Sequence, residues 1–69
     1  MPTYIKHARE QMARRGISRE EVGMVLAEYH TEYPDRQGDR IVIGHPGGRR
    51  VKVVVAKDSD PPRIITAAD

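Results

Sequence analysis

The sequence predicts an α+β domain in which two amino-terminal helices pack on a three-stranded antiparallel sheet, in the element order ααβββ. Apolar residues recur at helical spacing up to residue 29 and alternate after residue 39. The alternating segments are joined by short connections, which make antiparallel neighbours. A helix pair then buries its apolar stripe against one sheet face. With 69 residues, the whole chain is expected to form a single small domain.

The first helix is expected to begin between Thr3 and Lys6 and to end at Arg15. Gly16 follows as the residue in the left-handed conformation that ends many helices. The apolar stripe consists of residues three or four positions apart: Ile5, Ala8 and Met12. This stripe should face the core.

The second helix is expected to run from Arg19 to about Tyr29, with Tyr29 in the core. Ser18 and Glu21 have the spacing of a capping box at its start. Gly23 costs helix stability, which predicts that a neighbouring element approaches closely there. The apolar face recurs at helical spacing: Val22, Val25, Leu26 and Tyr29.

A polar crossing is expected over residues 31–39, because Pro34 and Gly38 favour turns. Three strands with alternating apolar residues follow at 40–44, 51–56 and 63–67. The second of them is apolar on both faces, so we expect it in the middle of the sheet.

Charge gives a weak indication of the partner. Twelve Lys plus Arg against ten Asp plus Glu give a formal net charge of +2, too small to demonstrate a polyanionic partner. The cations are nevertheless grouped: Lys6, Arg9, Arg14, Arg15 and Arg19 in the helices, and Arg49, Arg50 and Lys52 on a hairpin. If the groups meet, they form a patch that binds phosphates. The alternative is a set of solvated surface side chains.

Several classes of site and location are disfavoured by composition. The chain has no cysteine, and His7, His30 and His45 lack paired metal-ligand spacing, so we expect neither a metal nor another cofactor. No apolar run approaches membrane-spanning length. We therefore expect a soluble cytoplasmic protein with no membrane partner.

His7 is the first candidate for chemistry, because imidazole both accepts and donates protons near neutral pH. Gln11 and Arg14 follow four and seven positions later on the same helical side. Metal-free RNA cleavage uses such groups: a base takes the 2′-OH proton, cations stabilise the charged transition state, and an acid protonates the leaving oxygen. The alternative is a histidine that caps or packs.

Two further features are open to more than one interpretation. His45 lies in a glycine-rich turn that would bind an anion through free amides, although a simple hairpin tip is the favoured interpretation. Tyr4 is placed either to stack on a base or to cover an edge of the fold.

The run His-Ala-Arg-Glu-Gln-Met at residues 7–12, with Arg-Arg-Gly-Ile-Ser at 14–18 and Glu-Glu-Val at 20–22, resembles the bacterial and archaeal family known as domain of unknown function 4258. The strand region at 40–43, 51–55 and 64–66 is similar to that family as well. The family is distantly similar to RelE-type and BrnT-type toxins, which are small ribonucleases of toxin-antitoxin systems. By analogy, this resemblance implies a RelE-like ααβββ fold, RNA as the substrate and a protein antitoxin as a partner.

The chain departs from the family pattern at two positions. Ile5 stands where a hydroxyl residue is common, and Gln11 stands where a basic residue is common. His7, Arg14 and Arg15 match the motif and are the residues that the resemblance implies for catalysis.

Two hypotheses follow. The first is a metal-independent endoribonuclease in which His7, Arg14 and Arg15 point into a concave surface on the exposed side of the sheet. Its RNA-binding residues would be Lys6, Tyr4, Arg49, Arg50, Lys52 and Arg63. The second is a non-catalytic nucleic-acid-binding or protein-binding regulatory module, in which His7 is buried. Exposed apolar area would predict a homodimer in either case.

Overall fold

The computed structural model of the chain describes residues 2–69 and has two α-helices and a five-stranded mixed sheet. The elements in chain order are β1 (Thr3–Tyr4), α1 (Lys6–Arg15), α2 (Arg19–Ala27), β2 (Thr31–Pro34), β3 (Arg40–Gly44), β4 (Val51–Val55) and β5 (Arg63–Ala68). The strand order is β1-β5-β4-β3-β2, with β1 parallel to β5 and every other pair antiparallel. The α+β class is confirmed, and β4 is central as predicted. The prediction of a three-stranded antiparallel sheet is wrong.

The corner between the helices follows the sequence prediction. Gly16 has φ 67°, and the amides of Gly16 and Ile17 both donate to the carbonyl of Met12. Ser18 Oγ accepts from the amide of Glu21, whose carboxylate accepts from the Ser18 amide, so the capping box is complete. The corner between α1 and α2 is therefore fixed by local contacts.

The second helix is shorter than predicted. It ends at Ala27, because Glu28 has a non-helical φ of −138° and the chain then turns into the sheet. The amide of His30 donates to the carbonyl of Ile43 on β3 at 2.8 Å. Tyr29 is 46% exposed, so its predicted place in the core is wrong.

The two additional strands lie at the edges of the sheet. β2 replaces the predicted polar crossing and forms a hairpin with β3. Asp35 Oδ1 accepts from the amides of Gln37 and Asp39, and Gly38 has φ 88°, so the turn residues occupy only the tip. Pro34 is tolerated because an edge strand does not need every amide. β1 has two residues, and the Thr3 amide donates to the carbonyl of Pro62.

The core lies between the helices and one face of the sheet. α1 packs on β5, and α2 packs across β3 and β4. The buried side chains form one cluster: Ala8, Met12, Ile17, Val22, Val25, Val42, Val51, Val53, Val55, Ile64 and Ala67. On β4 the residues between the buried valines, Lys52 and Val54, lie on the opposite face, which carries no helix. Both helices thus share one side of the sheet.

The close approach predicted at Gly23 occurs at Gly44 instead. A Cβ added at Gly23 would meet nothing within 4 Å, so the prediction for Gly23 is wrong. A Cβ at Gly44 would lie 3.2 Å from the carbonyl oxygen of Glu28 and 3.4 Å from Val25 Cα. Gly44 therefore lets the end of α2 lie directly on β3.

Candidate nucleic-acid interface

Four arginines from two distant segments lie at one end of the molecule. Arg14 and Arg15 form the last turn of α1, and Arg49 and Arg50 directly precede β4. Arg49 brings the segments together, because its Nη2 donates to the carbonyl of Arg15 at 2.7 Å and its Nη1 donates to that of Gly16 at 3.2 Å. We call these four residues the basic cluster.

The position of Arg49 has a clear physical cause. The last carbonyls of a helix lack intrahelical partners and carry the negative end of the helix dipole. A guanidinium group supplies several N–H donors in a fixed plane and satisfies two such carbonyls at once. The contact spans 33 and 34 residues along the chain, so it depends on the fold.

Two carboxylates lie within the basic cluster. Asp69 Oδ1 accepts from Arg15 Nη1 at 3.3 Å, and its Oδ2 accepts from Arg49 Nη2 at 3.3 Å. Glu21 Oε2 lies 3.7 Å from Arg49 Nη1. The sequence prediction did not include Asp69, because a contact across 54 residues leaves no local pattern.

The other two arginines of the basic cluster are exposed. Arg14 and Arg50 make no side-chain hydrogen bond and no ion pair within residues 2–69. The sequence predicted that the cations of the helices could meet those of the hairpin. The end of α1 and the segment before β4 do come together, but the other members of the two groups do not join them. Two of the four guanidinium groups are held by the chain itself, and two face solvent.

His7 is exposed on the first turn of α1, and its imidazole makes no hydrogen bond among the described residues. The seven-residue separation puts it on the side of α1 that carries Arg14, about 10 Å farther along the axis. The predicted concave surface on the exposed sheet face is not formed by these residues, because α1 packs on the opposite face. That part of the nuclease hypothesis is wrong. The burial of His7 expected for a non-catalytic module is not observed either.

The remaining candidates lie outside the basic cluster. Lys52 is partly buried on the helix-free face, where it is in register with Ile43 and Ala68. Lys6 is the first residue of α1 and Arg63 is the first residue of β5, so both lie at the ends of these elements that are far from the basic cluster. The two starts are adjacent, because the amide of Ile5 donates to the carbonyl of Ile64. A single surface containing all predicted RNA-binding residues is therefore not formed.

Tyr4 contacts α2 rather than the basic cluster. The guanidinium carbon of Arg19 lies 5.0 Å from the centre of the Tyr4 ring, a cation–π contact. Burial raises the pKa of Tyr4, and the positive charge of Arg19 opposes that rise. Covering an edge of the fold, the second interpretation of this residue, agrees with these contacts.

The glycine-rich turn holds a second cluster of polar groups. The ring centres of His30 and His45 are 4.5 Å apart at an interplanar angle of 61°. A cleft of about 260 Å³ beside them is lined by Met24, Ala27, Glu28, His45, Pro46 and Gly47. Over residues 2–69, no three histidine, aspartate or glutamate side chains form a group that could hold a metal ion.

Comparisons with known proteins identify the family but no characterised relative. No curated protein and no solved structure matches the sequence. Over residues 2–69, no helix combines the length and apolar composition that crossing a membrane requires. A family model described as Domain of unknown function (DUF4258) matches residues 4–69, and the chain therefore belongs to this family.

Proposed function

We propose that this protein binds RNA through the basic cluster. The observation that carries the proposal is the contact of Arg49 with the carbonyls of Arg15 and Gly16, which brings the segment of Arg49 and Arg50 to the last turn of α1, where Arg14 and Arg15 lie. The basic cluster has four guanidinium groups, and two carboxylates lie against Arg15 and Arg49, which leaves an excess of two positive charges. The formal net charge of the whole chain is also +2, so the charges outside this group sum to zero.

Arginine side chains bind phosphate groups through directed hydrogen bonds as well as through their positive charge. Its planar N–H groups match phosphate oxygens in pairs, and each phosphate that is neutralised releases condensed counterions. Arg14 and Arg50 are exposed and have no competing partner among the described residues. They are the side chains that we expect to contact RNA first.

Catalysis is the second part of the proposal, and the family's likeness to RelE-type and BrnT-type toxins suggests it by analogy. His7 would act as a general acid or base in attack by the 2′-OH, and Arg14 and Arg15 would stabilise the charge on the scissile phosphate. The specific observation in its favour is that the imidazole is exposed and free of hydrogen bonds among residues 2–69. A protein antitoxin, a homodimer and a cytoplasmic location stay predictions.

The experiment measures RNA binding and RNA cleavage by the same purified protein. Fluorescence anisotropy with labelled single-stranded RNA gives the affinity at several salt concentrations. Gel analysis in excess EDTA shows whether free or ribosome-bound RNA is cut. The variants are His7→Ala, the single substitutions Arg14→Ala and Arg50→Ala, their pair, and Arg36→Ala. Arg36→Ala is the matched control for each single substitution, because Arg36 is exposed in the β2–β3 turn at the other end of the sheet.

We expect the arginine pair to weaken RNA binding about tenfold and to flatten the salt dependence, since two phosphate contacts are lost. Arg36→Ala should change the affinity much less. Cleavage that persists in EDTA and disappears in His7→Ala would support the toxin-type nuclease. RNA binding without cleavage would support the non-catalytic module. If Arg14→Ala and Arg50→Ala each weaken binding no more than Arg36→Ala does, the basic cluster is not the interface.

A further inference from the structure

Asp69 places one carboxylate between two arginines that come from different elements. Its two oxygens are each 3.3 Å from a guanidinium nitrogen, one on Arg15 and one on Arg49. The pKa of the Asp69 carboxyl is lowered by its own backbone amide and then by the neighbouring arginines, so it is ionised at neutral pH. The two arginines thus already hold an anionic group.

Both arginines are positioned by contacts that do not involve Asp69. Arg49 donates to the carbonyls of Arg15 and Gly16, and Arg15 Nε donates to Gln11 Oε1 at 3.4 Å. Removing the Asp69 carboxylate would therefore leave the two guanidinium groups near their present places. Each would have an N–H free for an oxygen of another anion.

We infer that Arg15 and Arg49 form a phosphate subsite and that Asp69 occupies it as an internal competitor of RNA. The inference rests on the proposed function, because it assigns one phosphate position within the basic cluster. A phosphate group presents oxygens to two guanidinium groups as a carboxylate does. A phosphate of the RNA backbone carries the same single negative charge as the carboxylate, and a terminal phosphate carries more. The Asp69 side chain is 43% exposed, so water screens its ion pairs and an incoming phosphate can displace it.

A purely structural role of Asp69 would have a different consequence. In that case the carboxylate only ties the chain after β5 to the end of α1, and its loss would lower stability without changing ligand binding.

A general effect of charge must also be separated from occupation of the subsite. Glu10 provides the control: it is exposed on α1, four residues before Arg14, and makes no ion pair within residues 2–69.

The test compares Asp69→Asn with Glu10→Gln, two substitutions that remove one negative charge without changing size. Fluorescence anisotropy gives the affinity for single-stranded RNA with and without a 5′-phosphate. Nuclear magnetic resonance follows the Nε–H signals of Arg15 and Arg49 during titration with inorganic phosphate. Thermal unfolding checks that both variants are folded, and Asp69→Ala is a second variant for the same site.

We expect Asp69→Asn to bind RNA about fivefold more tightly than the wild type, as release of screened ion pairs allows. The slope of log affinity against log salt should steepen by about 0.7, the value for one more phosphate of a single strand. Glu10→Gln should give a smaller gain and no change of slope. A gain confined to 5′-phosphorylated RNA would assign the subsite to a terminal phosphate, and an equal gain for both RNAs would assign it to the backbone.

The failures are distinguishable. If the wild type binds RNA but Asp69→Asn and Asp69→Ala bind no more tightly than Glu10→Gln, the subsite is overturned and the proposed function stands. If neither the wild type nor Asp69→Asn binds RNA at low salt, the proposed function fails. Inorganic phosphate that then still shifts the Arg15 and Arg49 signals in Asp69→Asn would uphold the anion subsite alone.

Discussion

At the scale of single residues, Tyr4 combines burial with a nearby charge. The ring is partly buried, and Arg19 lies 5.0 Å from its centre. Burial disfavours the phenolate and raises the pKa of Tyr4 above the ordinary value of 10.0, while Arg19 acts in the opposite direction. Because burial is the larger cause, the neutral ring is the form that the fold favours.

We therefore expect an absorbance titration to show that Tyr4 ionises above pH 10.0, as the difference between the wild type and Tyr4→Phe. The neutral ring contributes stability that is fully present below pH 10.0 and is lost as the pH rises through the raised pKa. Arg19→Gln should raise the pKa further, because the opposing charge is gone. A difference titration with its midpoint below 10.0 would contradict the burial of this ring.

The basic cluster also differs residue by residue. Arg15 and Arg49 are held by carbonyl, amide and carboxylate oxygens of the chain, whereas Arg14 and Arg50 have no such partner among the described residues. Identical side chains therefore have different roles. The sequence grouped all four by charge, and it contained no signal for which two are held.

At the scale of elements, two glycines in the helical region differ in whether their backbone conformation requires glycine. An added Cβ would meet nothing within 4 Å at Gly16 or at Gly23. Gly16 has φ 67° after the end of α1, whereas Gly23 lies within α2 with ordinary helical geometry. Only the backbone conformation distinguishes the two sites, so they form a matched pair.

We expect Gly16→Ala to lower the free energy of unfolding by about 1 kcal/mol, since a Cβ is disfavoured in the left-handed conformation. Gly23→Ala should raise it by about 0.5–1 kcal/mol, because alanine loses less entropy in a helix. Urea unfolding followed by circular dichroism measures both changes. Effects of the same sign in the two variants would disprove this account of the helix corner.

The strands show where element prediction fails. The alternating valines of β4 predicted a central strand correctly, because burial on one face leaves a period of two. β2 is exposed at all four positions and has no such pattern. It is a strand because four of its residues pair with β3. Only a short turn separates the two strands, and the sequence of that turn is typical of a loop.

At the scale of the whole molecule, Arg49 joins three parts of the chain. It contacts the end of α1, Glu21 on α2 and Asp69 after β5. We expect Arg49→Ala to lower the free energy of unfolding by about 1 kcal/mol, the size of one or two partly exposed hydrogen bonds. Urea unfolding measures this change.

Arg50→Ala is the matched control for Arg49→Ala. Arg50 is the next residue, is exposed, and makes no hydrogen bond or ion pair within residues 2–69. Its substitution should change the free energy of unfolding by less than about 0.5 kcal/mol. If the two variants lose equal stability, Arg49 does not link these elements as its contacts indicate.

The sequence by itself determined the α+β class, the corner at Gly16 and Ser18, and the central β4, because local propensity, capping and periodic burial act over a few residues. The tertiary structure alone decided the two edge strands, the close approach at Gly44 and the meeting of Arg49 with Arg15 and Asp69. Apart from the β2–β3 hairpin, whose pairing leaves no pattern in the exposed residues of β2, those features depend on groups far apart in the chain. Their energies come from hydrogen bonds and charges that exist only after the strands have paired and the helices have packed on them.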